Sequence, residues 1–200
     1  MDVRYVAGKP VRPVVAKDIA GCTVAVDYKR DLAIHLGFHT DSNFVFSHMK
    51  SDEGREFDFL LHQMTVNPAK DPKEYPGILS IASFIDKTHR TYSAKENMYP
   101  VGQFRASTEK LDIHTPTSSI SGTADKMIFT ADLPDGNGKI EVNLERFGPV
   151  LIASGTGVFP FLNNEVLCYR FALPYLKATG TLTIDGRVAK ISGDCWLDRQ

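Results

Sequence analysis

Cysteine is scarce. There are three, Cys22, Cys168 and Cys195, an odd number with no Cys-x-x-Cys spacing. That pattern excludes a disulfide framework and a cysteine zinc site and leaves buried free thiols. There is no surplus of charge either: 23 Lys and Arg face 24 Asp and Glu, a net charge of −1. Nothing therefore steers the chain to nucleic acid or to an anionic membrane. No apolar run approaches the ~20 residues that cross a bilayer. The first residues lack an apolar h-region and a small-residue cleavage site, so they are not read as a signal peptide and the chain reads as cytosolic. A phosphate cradle is missing, because Gly155-Thr156-Gly157 lacks a third glycine and a following helix. Ser154 lacks the frame of a nucleophile elbow.

What is present is an ordinary globular balance, 42% hydrophobic and 24% charged, over 200 residues. Residues 1–20 read as an extended lead-in and 21–200 as a single β domain. Leu32, Ile34, Leu36 and Phe38 alternate with smaller or polar residues, the period of two that a strand requires. Two apolar stretches flank Asp52-Glu53-Gly54 as a hairpin. The strongest hairpin surrounds Pro134-Asp135-Gly136-Asn137-Gly138, with Ile140, Val142 and Leu144 facing in. Another surrounds Asp185-Gly186. Residues 78–86 are apolar on both faces, as in a strand buried on two sides. Residues 94–107 have no period and read as a mobile loop over an opening, and residues 160–165 give the one weak helical signal. A dozen short strands with hairpin turns make an all-β, antiparallel barrel or sandwich.

The candidate chemistry is sparse. His35, His39, Asp41 and His48 form no recognised ligand motif, so they read as a wet surface and no metal is assigned. His62 and Gln63 sit at the end of an apolar strand. Asp86 ends the most hydrophobic strand, on a face with Ile78, Ala82 and Phe84. A carboxyl on an apolar face either holds its proton and serves as a general acid, or caps a turn with Thr88 and faces water. Arg170 alternates with Cys168 and Ala172; it is either buried with an anionic or carbonyl partner or an edge-strand surface arginine.

The chain closes on Gly193-Asp194-Cys195-Trp196-Leu197-Asp198-Arg199-Gln200, a Gly-x-x-Trp-x-Asp-x-Gln pattern after Gly180-Thr181-Leu182. With residues 42–64 and 78–94, this segment resembles the N-terminal half of the carotenoid 1,2-hydratase (hydroxyneurosporene synthase) superfamily. That group takes in lipocalin-like "secreted hydrolase" proteins, kievitone hydratase and fungal decalin-forming Diels–Alderases. The resemblance implies two lipocalin-like modules in tandem, of which this chain is one, with the ligand in or between them. It also implies chemistry on the C=C bonds of a hydrophobic polyketide or isoprenoid, without a cofactor. Trp196, Asp198 and Gln200 fall on the inter-module seam as structural ties, with Trp196 also counted at the substrate. His62, Gln63 and Asp86 fall where similar proteins place polar groups near the pocket.

Three functions follow. An enzyme of hydratase type uses Asp86 as the acid and Phe84, Tyr92 and Tyr169 to steady a cation. In the cyclase or isomerase type, which is preferred, Gln63, His62 or Arg170 polarises a carbonyl. A lipocalin-type carrier needs no chemistry. An assembly module pairs with a second module or with itself, and an exposed apolar face near Trp196 favours it.

Overall fold

Local turn chemistry sets the strand order. The computed structural model describes residues 5–6, 9–10, 26–35, 40–66, 77–161 and 166–200. The short strands β1 (Tyr5–Val6) and β2 (Lys9–Pro10) pair with each other within the expected lead-in. β3 (Thr40–Ser51) turns at Gly54 into β4 (Glu56–Val66). β5 (Gly77–Asp86) and β6 (Thr91–Pro100) form the next hairpin. Then come β7 (Arg105–Ala106), β8 (Leu111–His114), β9 (Ser118–Gly122), β10 (Lys126–Asp132) and β11 (Gly138–Arg146). β12 (Leu151–Ile152) precedes a 3-10 turn at Ala153–Gly155. β13 (Val158–Phe161) and β14 (Val166–Tyr169) pair with each other, and the long strands β15 (Phe171–Ile184) and β16 (Arg187–Arg199) close the chain.

One antiparallel sheet runs β6-β5-β4-β3-β16-β15-β11-β10-β9-β8-β7, with β12 added against β15. It curls until its two halves meet. Phe59 of β4 stacks on Phe129 of β10 with ring centres 6.0 Å apart. Beyond them, Tyr99 of β6 reaches Thr117 before β9, hydroxyl to hydroxyl at 2.7 Å. The concave face takes the odd-numbered residues of β3, β4 and β16 and the even-numbered residues of β5. Phe57, Phe59, Leu61, Phe129, Ile140, Val142 and Leu197 are all at most 1% exposed there. Each such side chain contributes about 1.5–3 kcal/mol by leaving water.

Two glycines are required by geometry. Gly136 takes φ 79° in the β10–β11 turn, a left-handed conformation that costs glycine little. Gly193 lies so close to β3 that a Cβ would stand 2.0 Å from the His48 carbonyl oxygen.

Several sequence expectations need correction. Residues 28–33 are a turn rather than a strand, because Asp27 Oδ1 accepts the Lys29 N–H at 3.0 Å and Asp31 Oδ2 accepts the Asp27 N–H at 2.8 Å. Residues 36–39, including His39, lie outside the described residues. Residues 94–100 complete strand β6 instead of a loop, since β5 offers a full ladder. Pro160 and Phe161 belong to β13, so no helix begins there, and residues 162–165 lie outside the described residues. β5 is buried on one face alone; Ile85 on its other face is 41% exposed. In the middle of the interior the rings of Phe57 and Phe84, and of Phe59 and Phe129, pack in pairs with centres 5.4 and 6.0 Å apart. Among the described residues no helix is long and apolar enough to cross a membrane.

Candidate functional site

The convex face of β3, β4, β5 and β16 gathers residues that pleating sends outward together. Register places Trp196 beside Phe46, Asp194 beside His48, His48 beside Asp58 and Asp58 beside Ile85. Phe46, Ile85 and Trp196 are 48%, 41% and 37% exposed, far more than apolar side chains of a closed core. With Pro174, which stands in the bulge between Leu173 and Leu176, they wall a cleft of about 470 Å³. One wall is polar. Lys87 Nζ, His48 Nδ1 and Asp58 Oδ1 form a triangle with sides of 3.0, 2.8 and 2.8 Å. Partial burial pushes the Asp58 carboxyl up, but hydrogen bonds from Lys87 and His48 and the lysine charge outweigh this and hold it below its usual range. Asp194 opposite is held by Lys177 at 2.6 Å.

The Trp196 indole is fixed in this cleft. Its Nε1–H donates to Asp198 Oδ1 at 2.8 Å, and Arg170 Nη2 donates to Asp198 Oδ2 at 2.7 Å. The Gly-x-x-Trp-x-Asp pattern thus has a physical content: Gly193 lets β16 lie close to β3, Trp196 points out, and Asp198 aims its ring. Between Asp194 and Trp196, Cys195 turns its side chain to the core, where burial pushes its thiol up to about 12, so it stays protonated.

The concave face carries a second polar group. Arg199, Asn43, Gln63 and Ser80 follow one another across β16, β3, β4 and β5. Gln63 Nε2 donates to Ser118 Oγ at 2.9 Å, and the Ser80 and Ser118 hydroxyls meet at 2.8 Å. Arg199 is fully buried and ion-paired with Asp41, its Nη2 donating to Asp41 Oδ2 at 2.8 Å. The same carboxylate accepts the His35 N–H at 2.6 Å and the Tyr169 hydroxyl. His35 Nδ1 lies 3.0 Å from that hydroxyl, and its Nε2 lies 3.4 Å from Asp31. Burial pushes the Asp41 carboxyl up, but the Arg199 charge and the bonds from His35 and Arg199 bring it well below its usual range. Asp31, burial likewise opposed by His35 and Arg30, falls to about 2. Burial lowers His35, yet its bonds to Asp31 and Asp41 raise it on balance, against the Arg199 charge. Burial also raises Tyr169 well above its usual range. His35 and Asp41 are therefore interior anchors and not the wet surface expected from the sequence.

Two solved structures share this architecture closely. A Nitrosomonas europaea protein assigned as AttH superposes with a TM-score of 0.76 at 16% identity, over 94% of this chain and 57% of its own. Kievitone hydratase from Nectria haematococca gives 0.65 at 17% identity, over 86% and 56%. CghA with Sch210972 reaches 0.39 at 12% identity, over 80% and 45%, too distant to carry an argument. The fold is all-β and lipocalin-like. The chain spans little more than half the length of these proteins. No family model and no curated sequence matches it.

The residues singled out from the sequence fall into three places. Gln63 and Tyr169 lie inside, among the buried polar side chains. Asp86 and Phe84 also face inward, but Asp86 is six residues along β5 from Ser80, about 20 Å at ~3.3 Å per residue. Asp86 is fully buried and paired with Arg55 at 2.5 Å and His89 at 2.7 Å. Burial raises its carboxyl, but the His89 N–H and ring and the Arg55 guanidinium lower it on balance. It is an ionised turn cap, accepting the His89 N–H at 3.0 Å, and neither a proton-holding acid nor a carboxylate that faces water. His62, Tyr92, Arg170, Trp196 and Asp198 face outward. His62 packs on Phe44 with ring centres 5.0 Å apart, and burial lowers its pKa. Adjacent residues of a strand point to opposite faces, so His62 and Gln63 never share a site. Tyr92 is 67% exposed, and Arg170 is a surface arginine tied to Asp198. Gln200 exchanges backbone bonds with Ser42. Sequence reasoning missed Asp58, Lys87 and Arg199. The parity of Asp58 with His48 across the first hairpin was the available signal. Among the described residues no three His, Cys, Asp or Glu converge as a metal site.

Proposed function

We propose that the chain is one β module of a cofactor-independent enzyme acting on C=C bonds of a hydrophobic polyketide or isoprenoid, of cyclase or isomerase type. One observation carries this: an apolar cleft of ligand size, about 470 Å³, opens beside a Lys87–His48–Asp58 group. Trp196, Phe46 and Ile85 offer flat apolar surface to an unsaturated chain. The Lys87 ammonium donates to a ligand carbonyl and draws electron density from the conjugated bonds. His48 stands ready for proton transfer. The Asp58 carboxyl in this cleft is held below its usual range by Lys87 and His48, so it is not a proton donor to an alkene, which favours cyclisation or isomerisation over hydration. The AttH and kievitone hydratase likeness supports the scaffold, and hydratase is the activity named for one of them.

Trp196 is the chain's one tryptophan, so its fluorescence reports the cleft alone. β-Ionone, a conjugated isoprenoid ketone, is expected to quench it saturably. With a panel of polyene ketones, mass spectrometry separates an isomeric product from a hydrated one. Lys87→Met is expected to lower turnover about 10²-fold while quenching persists. Quenching with no product from any ketone selects the carrier reading; no quenching by any apolar probe removes both.

A second reading rests on the same face. Phe46, Ile85, Tyr92, Met98 and Trp196 are all exposed there, more apolar surface than a solitary face needs. A second β module seated on it would turn the open cleft into an enclosed pocket. A stable monomer by size-exclusion chromatography with light scattering rules out self-association.

A further inference from the structure

Three buried side chains on the concave face each carry one polar atom without a partner among the described residues. Register sets Arg199 of β16 opposite Asn43 of β3, and Asn43 opposite Gln63 of β4. Side chains so paired have Cβ atoms about 4.5–5.5 Å apart. Arg199 is 0% exposed, Gln63 2% and Asn43 3%. Gln63 spends its Nε2 on Ser118, and Arg199 spends its terminal nitrogens on Asp41 and on the Ala33, Ser42 and Gln200 carbonyls. Yet Asn43 Oδ1, Gln63 Oε1 and Arg199 Nε have no hydrogen-bond partner among the described residues. Folded proteins leave few such atoms, because each forfeits its hydration for nothing.

Two acceptors beside one donor define their complement. A carboxylate or phosphate brings further acceptors against the amide oxygens, and an ammonium brings a cation against Arg199. A neutral O–H oxygen suits the row: water donates one hydrogen to each amide oxygen and accepts from Nε, and an alcohol donates its one hydrogen to one amide oxygen and accepts from Nε. We infer that Asn43, Gln63 and Arg199 form a seat for one neutral hydroxyl oxygen, that of a water molecule or of an apolar alcohol. Val45 and Leu61, paired two residues further along the same face and each 1% exposed, provide hydrocarbon surface beside it. The inference is independent of the convex cleft and of the reaction proposed there.

The test uses n-octanol and its isomer methyl heptyl ether, which has the same atoms and no O–H. Calorimetric titration of the whole chain gives the ratio of affinities. An alcohol seat predicts preference for octanol of about tenfold or more, falling to about one in Asn43→Leu and in Gln63→Met. Two variants on different strands guard against one that fails to fold. A water seat predicts no preference, with a crystal structure showing one oxygen within hydrogen-bond distance of all three atoms. The seat is overturned if no oxygen stands there in the crystal and both variants raise the Tm without changing the ratio. Loss of the β-ionone response of Trp196 leaves these outcomes untouched and counts against the convex-face reading alone.

Discussion

Replacing Asp41 by Asn tests the interior anchor most directly. The carboxylate is fully buried and meets the Arg199 guanidinium, itself without solvent contact, along with the His35 N–H and the Tyr169 hydroxyl. Asparagine keeps the size and loses the charge. The guanidinium then sits in the interior without its anion, a situation that costs about 3–5 kcal/mol. Against a total stability of about 5–15 kcal/mol, that is a large fraction. For a chain of this length it lowers the Tm by about 6–20 °C. In urea, with a slope near 2–3 kcal/mol/M, the midpoint falls by about 1–2.5 M. Trp196 fluorescence and far-ultraviolet circular dichroism should give coincident transitions, the sign that one equilibrium is being read. The control is Asp41→Leu with Arg199→Met, which removes both charges; its loss should be far smaller than that of Asp41→Asn. A loss below about 1 kcal/mol in Asp41→Asn, or equal losses in the single and double variants, would refute the account of the pair.

The remaining predictions concern pH and packing. Asp31, Asp41 and Asp86 all have folded pKa values below their unfolded ones, so their contribution is complete above about pH 4 and is lost as pH falls through the folded values. The drop of Asp31 from 3.8 to about 2 alone corresponds to about 2 kcal/mol. His35 is raised, so its contribution is complete below about pH 6.5 and is lost as pH rises through its folded value, with Asp31, Asp41, Tyr169 and Arg199 facing it. Urea midpoints from pH 2 to 9 should therefore rise, level and then fall, and His35→Phe should remove the fall; a midpoint still rising at pH 8 contradicts this. Phe59→Ala empties half of the stack with Phe129 and should cost about 3–5 kcal/mol, whereas Tyr92→Ala on the open face should stay within about 0.5 kcal/mol.

The hairpins were legible because their signals are local. Asp135-Gly136-Asn137-Gly138 supplies the turn, and Ile140, Val142 and Leu144 supply the alternation, without reference to anything distant. Leu32 and Ile34 misled because alternating apolar residues say nothing about competition from Asp27 and Asp31, whose carboxylates capture nearby N–H groups. The alternation of Asp86 with Ile78, Ala82 and Phe84 left open whether it faces inward or caps a turn in water; its burial and charge state depend on Arg55, 31 residues away, which alternation does not reveal. The Arg199–Asp41 pair spans 158 residues and leaves no local mark at all. Long-range pairing of charges, rather than periodicity, decides what these polar residues do.

β16 shows how one strand serves two sites. Its even residues Asp194, Trp196 and Asp198 build the outer cleft, while Cys195, Leu197 and Arg199 between them face the core. A slip of one residue would exchange the two sets, driving two carboxylates and an indole inward and expelling Leu197 and the Arg199 guanidinium. Two features oppose that slip. Gly193 is the residue without a side chain at the point where β16 lies closest to the His48 carbonyl, and any slip brings a Cβ there. Arg199 fits one position, because Asp41, Ala33 and Ser42 together fix its nitrogens. The buried ion pair thus holds the register that aims Trp196 outward. Its weakening should loosen the cleft as well as the core, even though the two lie on opposite faces of the sheet.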